Sequence, residues 1–177
     1  MGEAQSHEPP RISDSTPADE LTADTLAAVL EREHREIDGG IEAFLAAQAE
    51  GRSRAEPLTQ AIGALRRHIF LEEELLFPSL RHAGLMAPIV VMLREHGEIW
   101  ATLDLIEAQL DAGAGTAATS EVCRRLLAQL ERHNSKEEPI LYPRADAALT
   151  AAESASLRAF LAAGRIPEGW ACARAEA

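Results

Sequence analysis

The sequence predicts an all-α protein, an up-down four-helix bundle followed by a short fifth helix near the C-terminus. Four long segments repeat apolar residues every three or four positions, as amphipathic helices do. Two histidine-containing motifs of the first half also recur, in the same order, in the second half. A duplicated helix pair explains this repeat most simply, and two such pairs make a four-helix bundle.

The predicted organisation has three parts. Residues 1–20 contain Pro, Ser, Asp and Glu and few large apolar groups, so too little surface can be buried to offset the entropy of ordering. We therefore expect a disordered N-terminal tail. Residues 21–149 form the predicted bundle, and residues 150–177 form the fifth helix and a terminal tail.

Caps and prolines predict where the first two helices begin and end. The first is predicted over residues 21–49, with Thr22 or Asp24 as its N-cap. The second should begin near Pro57, since proline suits the first turn of a helix. It should end by Pro78 or slightly beyond, because the residue before a proline disfavours helix.

The remaining helices are predicted in the same way. The third spans residues 86–111, and the fourth starts near Ser120. We expect the fourth to kink or loosen at Pro139, which lacks the N–H for its helical hydrogen bond. The fifth, over residues 150–164, opens with a Thr-x-x-Glu capping box and ends at a glycine.

The net charge of −12 argues against nucleic acid and anionic lipid as partners, because both would be repelled. The sequence has no apolar run long enough to span a membrane, and its N-terminus lacks the features of a secretory signal. We expect a cytoplasmic protein that binds small molecules or metal cations. The sequence does not indicate whether the protein has a protein partner.

The repeated motifs place potential metal ligands at equivalent positions. One motif, Arg-Glu-His-x-Glu-Ile, has a lone histidine and recurs with a spacing of 62 residues, from position 34 to position 96. The other, Arg-His-x-x-x-Glu-Glu, recurs with a spacing of 65 residues, from position 68 to position 133. The candidate metal ligands are His34, His68, Glu72, His96, His133 and Glu137.

These six residues interrupt the apolar stripes of the predicted helices. A carboxylate in an apolar core costs several kcal/mol unless it has a charge partner, and no Lys or Arg occupies the stripes. Positions i and i+4 lie about 40° apart on a helix, so His68 and Glu72 can point at one ion. Bound metal ions are the simplest counter-charge, because a metal-free core would bury two carboxylates unpaired.

Nearby polar residues are weaker candidates. Glu73 and Glu138 lie about 140° round the helix from the ligand histidines, so they should face solvent or a neighbouring helix. We expect Glu33 and Glu95 to be solvated. Asp38 is predicted to support a ligand or to be exposed, rather than to bind metal.

Imidazole and carboxylate ligands without thiolate suit iron, manganese or zinc, and a bundle core with two carboxylates is a common dinuclear site. A ferritin-like centre would need two Glu-x-x-His motifs, and only the one ending at His34 is present. Trp100 and Tyr142 are predicted to fill the core, although either could stand beside the metals and gate access to them or donate a hydrogen bond there.

The chain resembles the hemerythrin-like, or HHE cation-binding, domains over about residues 26–143. The resemblance rests on His34, His68, Glu72-Glu73, Leu76-Phe77-Pro78, His96, His133, Glu137-Glu138 and Leu141-Tyr142-Pro143. It implies an up-down four-helix bundle around a non-haem di-iron centre. The four histidines would then be terminal ligands, and Glu72 and Glu137 would bridge.

Two positions differ from the oxygen-carrying hemerythrins. Trp100 stands where they have a further histidine, and Glu137 stands where they have Asp. The four-His, two-Glu pattern is similar to the branch associated with repair of iron centres and with oxidative or nitrosative stress. With an oxo or hydroxo bridge, about ten of twelve positions on two six-coordinate irons would be filled, which leaves one open position on each.

The leading functional hypothesis is a di-iron protein that binds or reacts with oxygen, peroxide or nitric oxide, either as an oxidoreductase or as a detoxifier. One alternative is a binding module without turnover, such as an oxygen or iron sensor or an iron store and donor. Another is a pathway-specific di-iron oxidase, which would need a pocket for an organic substrate beside Trp100.

Overall fold

The computed structural model describes residues 24–52, 54–113 and 117–175. These residues form an all-α, hemerythrin-like helical bundle, which confirms the predicted fold class. The predicted tail over residues 1–20 lies outside the described residues. The helices are α1 Leu26–Ala49, α2 Glu56–Leu71, a π-helical turn Glu72–Leu76, α3 Phe77–His82, α4 Met86–Asp111, α5 Ala117–Ile140, α6 Tyr142–Ala148 and α7 Ala151–Ala163.

Local capping explains where the first and last helices begin. α1 starts later than predicted because Thr25, rather than Thr22 or Asp24, is its N-cap and accepts a hydrogen bond from the N–H of Ala28. α7 has both reciprocal bonds of the predicted capping box. α4 has the predicted bounds, and α5 begins three residues before the predicted Ser120.

The second and fourth long helices both change geometry beyond their glutamates. After α2 the chain makes a π-helical turn, in which the N–H of Phe77 bonds to the carbonyl of Glu72. The wider turn shifts the buried face by one residue, so Leu76 is fully buried and Leu75, one turn after Leu71, is only partly buried. α5 passes through Pro139 and ends one residue later, before α6 begins at Tyr142.

A layer of buried polar side chains divides the apolar core into two clusters. One cluster includes Ile37, Leu65, Ile99 and Leu130. The other includes residues from α1, α4 and α7 together with Phe77 and Tyr142. The apolar stripes predicted from the sequence therefore meet in the core, with the histidines between them. No helix in the described part of the chain is long and apolar enough to cross a membrane.

Candidate metal centre

The structure brings the six predicted ligand residues into this one layer. α1 and α4 supply one histidine each, while α2 with its π-helical turn and α5 each supply a His-Glu pair. All six are buried, with at most 5% of their surface exposed. They form two groups, in each of which the potential ligand atoms lie within 4.8 Å of one another. The first group is His34, His68, Glu72 and Glu137, and the second group is Glu72, His96, His133 and Glu137.

Glu72 and Glu137 each belong to both groups. Glu72 has Oε1 at 3.2 Å from Nε2 of His68 and Oε2 at 3.3 Å from Nε2 of His96. Oε2 of Glu137 lies 3.1 Å from Nε2 of His133 and 3.8 Å from Nε2 of His34. Carboxylates placed between two imidazoles in this way can bridge a pair of metal ions.

A second set of glutamates, here called the outer glutamates, contacts the far side of every imidazole ring. Each one lies within hydrogen-bond distance of the Nδ1 atom of a histidine on another helix. The four pairs and their Nδ1-to-oxygen distances are His34–Glu138 at 2.9 Å, His68–Glu33 at 3.0 Å, His96–Glu73 at 2.8 Å and His133–Glu95 at 3.2 Å.

The prediction that Glu33 and Glu95 are solvated is wrong. Both are half-buried, because each carboxylate also accepts hydrogen bonds from a cation, Arg67 for Glu33 and Lys136 for Glu95. Glu73 and Glu138 point away from the ligand groups and toward a neighbouring helix, as the 140° rotation predicts. The repeat itself contains all four outer glutamates, so it was the signal that could have identified them.

The outer glutamates determine the tautomer of each histidine, and therefore which ring nitrogen presents a lone pair to the centre of the layer. An ionised carboxylate can only accept, so each Nδ1 carries a hydrogen, and in a neutral imidazole Nε2 is then an acceptor. The Nε2 atoms of His34 and His68 are 3.0 Å apart. Two lone pairs at this distance repel unless a proton or a cation lies between them.

Further unpaired atoms point to a cation. Oε2 of Glu72, Nε2 of His96 and Oε1 of Glu137 are buried and make no hydrogen bond of good geometry among the described residues, although the first two atoms lie 3.3 Å apart. Buried polar atoms normally have partners, so three orphans in one layer require an explanation. The donor set of imidazole nitrogen and carboxylate oxygen fits iron, manganese or zinc.

The charges of the layer perturb the proton affinity of the histidines in opposite directions. Burial opposes charge on His68, but the carboxylates of Glu72 and Glu33 outweigh it and raise the pKa of this imidazole well above its usual value. Burial and the neighbouring His68 lower the pKa of His34. For His133, burial is outweighed by Glu137 and Glu95, which raise the pKa to about 10. Metal binding at this layer must release such protons.

The aromatic residues beside the two groups differ. The hydroxyl oxygen of Tyr142 donates to Oε1 of Glu72 at 2.6 Å and lies 3.0 Å from Nε2 of both His34 and His68. Phe77, which occupies the equivalent position in the repeat, instead stacks on the ring of His96 with a centroid distance of 5.6 Å. Tyr142 thus fills the core and also donates a hydrogen bond to a candidate ligand, the alternative role that the sequence left open for it.

Asp38 and Trp100 occupy equivalent positions of the repeat and lie outside both groups. Asp38 is half-buried, and burial together with nearby carboxylates raises its pKa to about 6. Trp100 packs edge-on against Trp170 and beneath the guanidinium of Arg66, whose carbon is 4.1 Å from the ring centroid. Trp100 therefore fills the core, as predicted.

The segment after α7 closes over the bundle next to the second group. The backbone N–H of Ala173 donates to Oε2 of Glu73 at 2.7 Å, and Oε1 of the same carboxylate contacts His96. Gly97 permits this approach, since a Cβ there would lie 2.6 Å from the carbonyl oxygen of Arg174. The sequence did not assign this segment, because its contacts are with residues far along the chain.

A small cavity lies against the ligand layer on the side away from Tyr142. It has a volume of about 10 Å³, enough for the centre of about one water-sized molecule. The four ligand histidines and Glu72 line it, together with Asp38, Asn134 and apolar side chains. The cavity is too small for an organic substrate.

The family model of the hemerythrin HHE cation-binding domain matches residues 25–145. This span contains both ligand groups and all four outer glutamates. Searches of curated proteins and of solved structures found no match. Since the matched residues make up more than half of the chain, and since they carry two groups able to hold a metal ion, the protein belongs to the hemerythrin HHE cation-binding family.

Proposed function

We propose that this protein is a non-haem di-iron protein of the cytoplasm that binds or reacts with oxygen, peroxide or nitric oxide in the response to oxidative or nitrosative stress. The observation that carries the proposal is the pair of buried groups that share two carboxylates. The proposed iron ligands are His34, His68, Glu72, His96, His133 and Glu137.

The charge of the layer supports two divalent or trivalent cations. Two carboxylates are buried there with four imidazoles, each of which presents an inward-facing lone pair once its Nε2 proton is released, and no Lys or Arg side chain of the described residues bonds to the shared Glu72 or Glu137. An unpaired buried carboxylate costs several kcal/mol, so one ion in each group would turn an unfavourable layer into a favourable one. Iron there would supply redox chemistry and open positions for a small ligand.

The residues of the chain support this chemistry in three ways. The outer glutamates orient the imidazoles and raise their basicity. The apolar clusters on both sides keep bulk water out. The cavity of about 10 Å³ limits the ligand to a few atoms, which favours oxygen, peroxide or nitric oxide over the bulky organic substrate of a pathway-specific oxidase.

Metal loading followed by peroxide addition tests the proposal. Protein loaded anaerobically with ferrous ion should contain about two irons per chain by elemental analysis. The same experiment with manganese and zinc establishes which metal the donor set prefers. One tightly bound ion, or none, would contradict the dinuclear centre.

The response of the loaded protein to excess peroxide separates the functional alternatives. Sustained oxygen release or peroxide consumption over many equivalents supports an enzyme. A spectral change that stops after about one equivalent supports a sensor, and release of iron into solution supports an iron donor. Nitric oxide, added to the diferrous form, provides the parallel test for nitrosative chemistry.

A further inference from the structure

We propose that the phenol oxygen of Tyr142 is a fifth protein ligand to the metal of the first group. This inference rests on the proposed di-iron function and deepens it. It makes the two metals different, because the second group has no oxygen at the equivalent place. It also assigns the open position for small ligands to one metal only.

The position of the phenol oxygen relative to the first group is the main support. In an octahedral complex with bonds of about 2.1 Å, neighbouring ligand atoms lie about 3.0 Å apart. The Tyr142 oxygen lies 3.0 Å from Nε2 of both histidines of the group, 2.6 Å from Oε1 of Glu72 and 3.2 Å from Oε2 of Glu137. It therefore has the spacing of a neighbouring ligand to all four atoms.

Hydrogen bonding can satisfy only part of these contacts. A phenol has one hydrogen, so it can donate to Glu72 or to Glu137 but not to both, and it can accept only from an imidazole that carries a proton on Nε2. The four atoms around the Tyr142 oxygen are the same four that form the first group, and all of them are buried. A cation between them satisfies the oxygen and the four neighbours together, and iron accepts tyrosinate as a ligand in other proteins. On binding, the phenol loses its proton to solvent, as the imidazoliums do.

The local fold holds Tyr142 in this place. It is the first residue of α6 and is followed by a proline, which suits the first turn of a helix. The side chain is fully buried in the apolar cluster that lies opposite the cavity. Phe77 is likewise the first residue of α3 and is followed by a proline, but it has no oxygen, and its ring stacks on the ring of His96.

The added ligand changes the coordination count. Four histidines, two bridging carboxylates, a solvent-derived bridge and Tyr142 would fill about eleven of twelve positions. The remaining position is on the metal of the second group. The sequence-based expectation of one open position on each metal is thereby replaced by a single open position.

The test uses the fact that the chain contains one tyrosine. Any tyrosinate signal from the iron-loaded ferric protein therefore comes from Tyr142. We expect a visible phenolate-to-iron charge-transfer band and tyrosinate ring modes in the resonance Raman spectrum, shifted when ring-deuterated tyrosine is incorporated. Tyr142→Phe should lose both while keeping about two irons per chain.

Phe77→Tyr is the matched variant, because it adds a phenol at the equivalent position of the other half. Combined with Tyr142→Phe, it should move the open position to the first group. Azide titration should give about one azide per chain in the unmutated protein and about two in Tyr142→Phe.

The outcomes distinguish this inference from the proposed function. Two irons per chain without a tyrosinate signal would overturn the inference and leave the di-iron function standing. Failure to bind two irons would overturn the function itself. Should Tyr142→Phe fail to fold, the Raman spectrum of the unmutated protein still decides the question.

Discussion

The two metal groups have the same ligand types from the same repeated motifs, yet their surroundings differ. The first group has the phenol oxygen of Tyr142 in contact with its potential ligand atoms, whereas the second has the stacked ring of Phe77. Glu73, one of the two outer glutamates of the second group, has 3% of its side chain exposed, against 36% for Glu138, one of the two in the first. The repeat therefore keeps the potential ligands in both halves, while the neighbouring positions differ, so that the two proposed metals would have different surroundings.

Removing a shared carboxylate should abolish the difference between the groups, because both would lose a ligand. We expect Glu72→Ala to lose nearly all bound iron, since its two oxygens face histidines of different groups. Glu131→Ala, at an exposed position of α5, is the control and should keep about two irons. Retention of one iron by Glu72→Ala would mean that the groups bind independently.

Removing the metal tests how much the bound cations contribute to the free energy of unfolding. Ligand binding to the native state alone adds about 4 kcal/mol when the metal concentration is about a thousand times Kd. For a chain of this size, that corresponds to roughly 10 °C in Tm. Chelation followed by calorimetry should show this decrease. An unchanged Tm after verified iron removal would contradict a metal centre in the core.

The outer glutamates should show the difference between the groups most directly. Loss of a carboxylate behind a ligand histidine typically weakens metal binding about 10- to 100-fold. Glu73→Ala should be near the upper end, because Glu73 is buried and also accepts from Ala173. Glu138→Ala should be near the lower end, since water can replace an exposed carboxylate. Competition with a chelator measures the metal affinity of both variants. An equal loss of affinity in the two variants would contradict the expected difference between the groups.

The smallest effect concerns Asp38, whose equivalent in the second half is Trp100. Its pKa of about 6 is above the value of about 3.9 for an unfolded chain, so stability falls as pH rises from about 4 to 6. Asp38→Asn removes this penalty and should stabilise the metal-free protein by about 1 kcal/mol at pH 7 to 8, after allowance for partial exposure. Near pH 4 the variant and the unmutated protein should have the same Tm, because Asp38 is then protonated. An equal Tm for Asp38→Asn and the unmutated protein at pH 7.5 would contradict a raised pKa for Asp38.

The helices and the ligand positions could be predicted because they depend on local periodicity and caps. α4 and the capping box of α7 needed only the spacing of apolar residues and one Thr-x-x-Glu pattern. The ligand histidines stood out as polar residues in apolar stripes. The bounds of α1 were less certain, since several residues near its start can act as an N-cap.

The features that the sequence did not predict depend on contacts between helices. Whether Glu33 meets solvent or a histidine is decided by the neighbouring helix, which a helical projection does not include. The π-helical turn over Glu72–Leu76 contains neither glycine nor proline to mark it. Tyr142 and Phe77 are both large aromatic residues in the sequence, and only the packing shows that one hydroxyl reaches ligand atoms.

The hydrogen bond from Ala173 to Glu73 has a consequence for biosynthesis. It ties the environment of His96 to a residue that follows every candidate ligand in the chain. The 40 residues from His133 to Ala173 take roughly 2 to 8 seconds to translate at about 5–20 residues per second. The bond that anchors Glu73 behind His96 can therefore form only after all six candidate ligands have been synthesised.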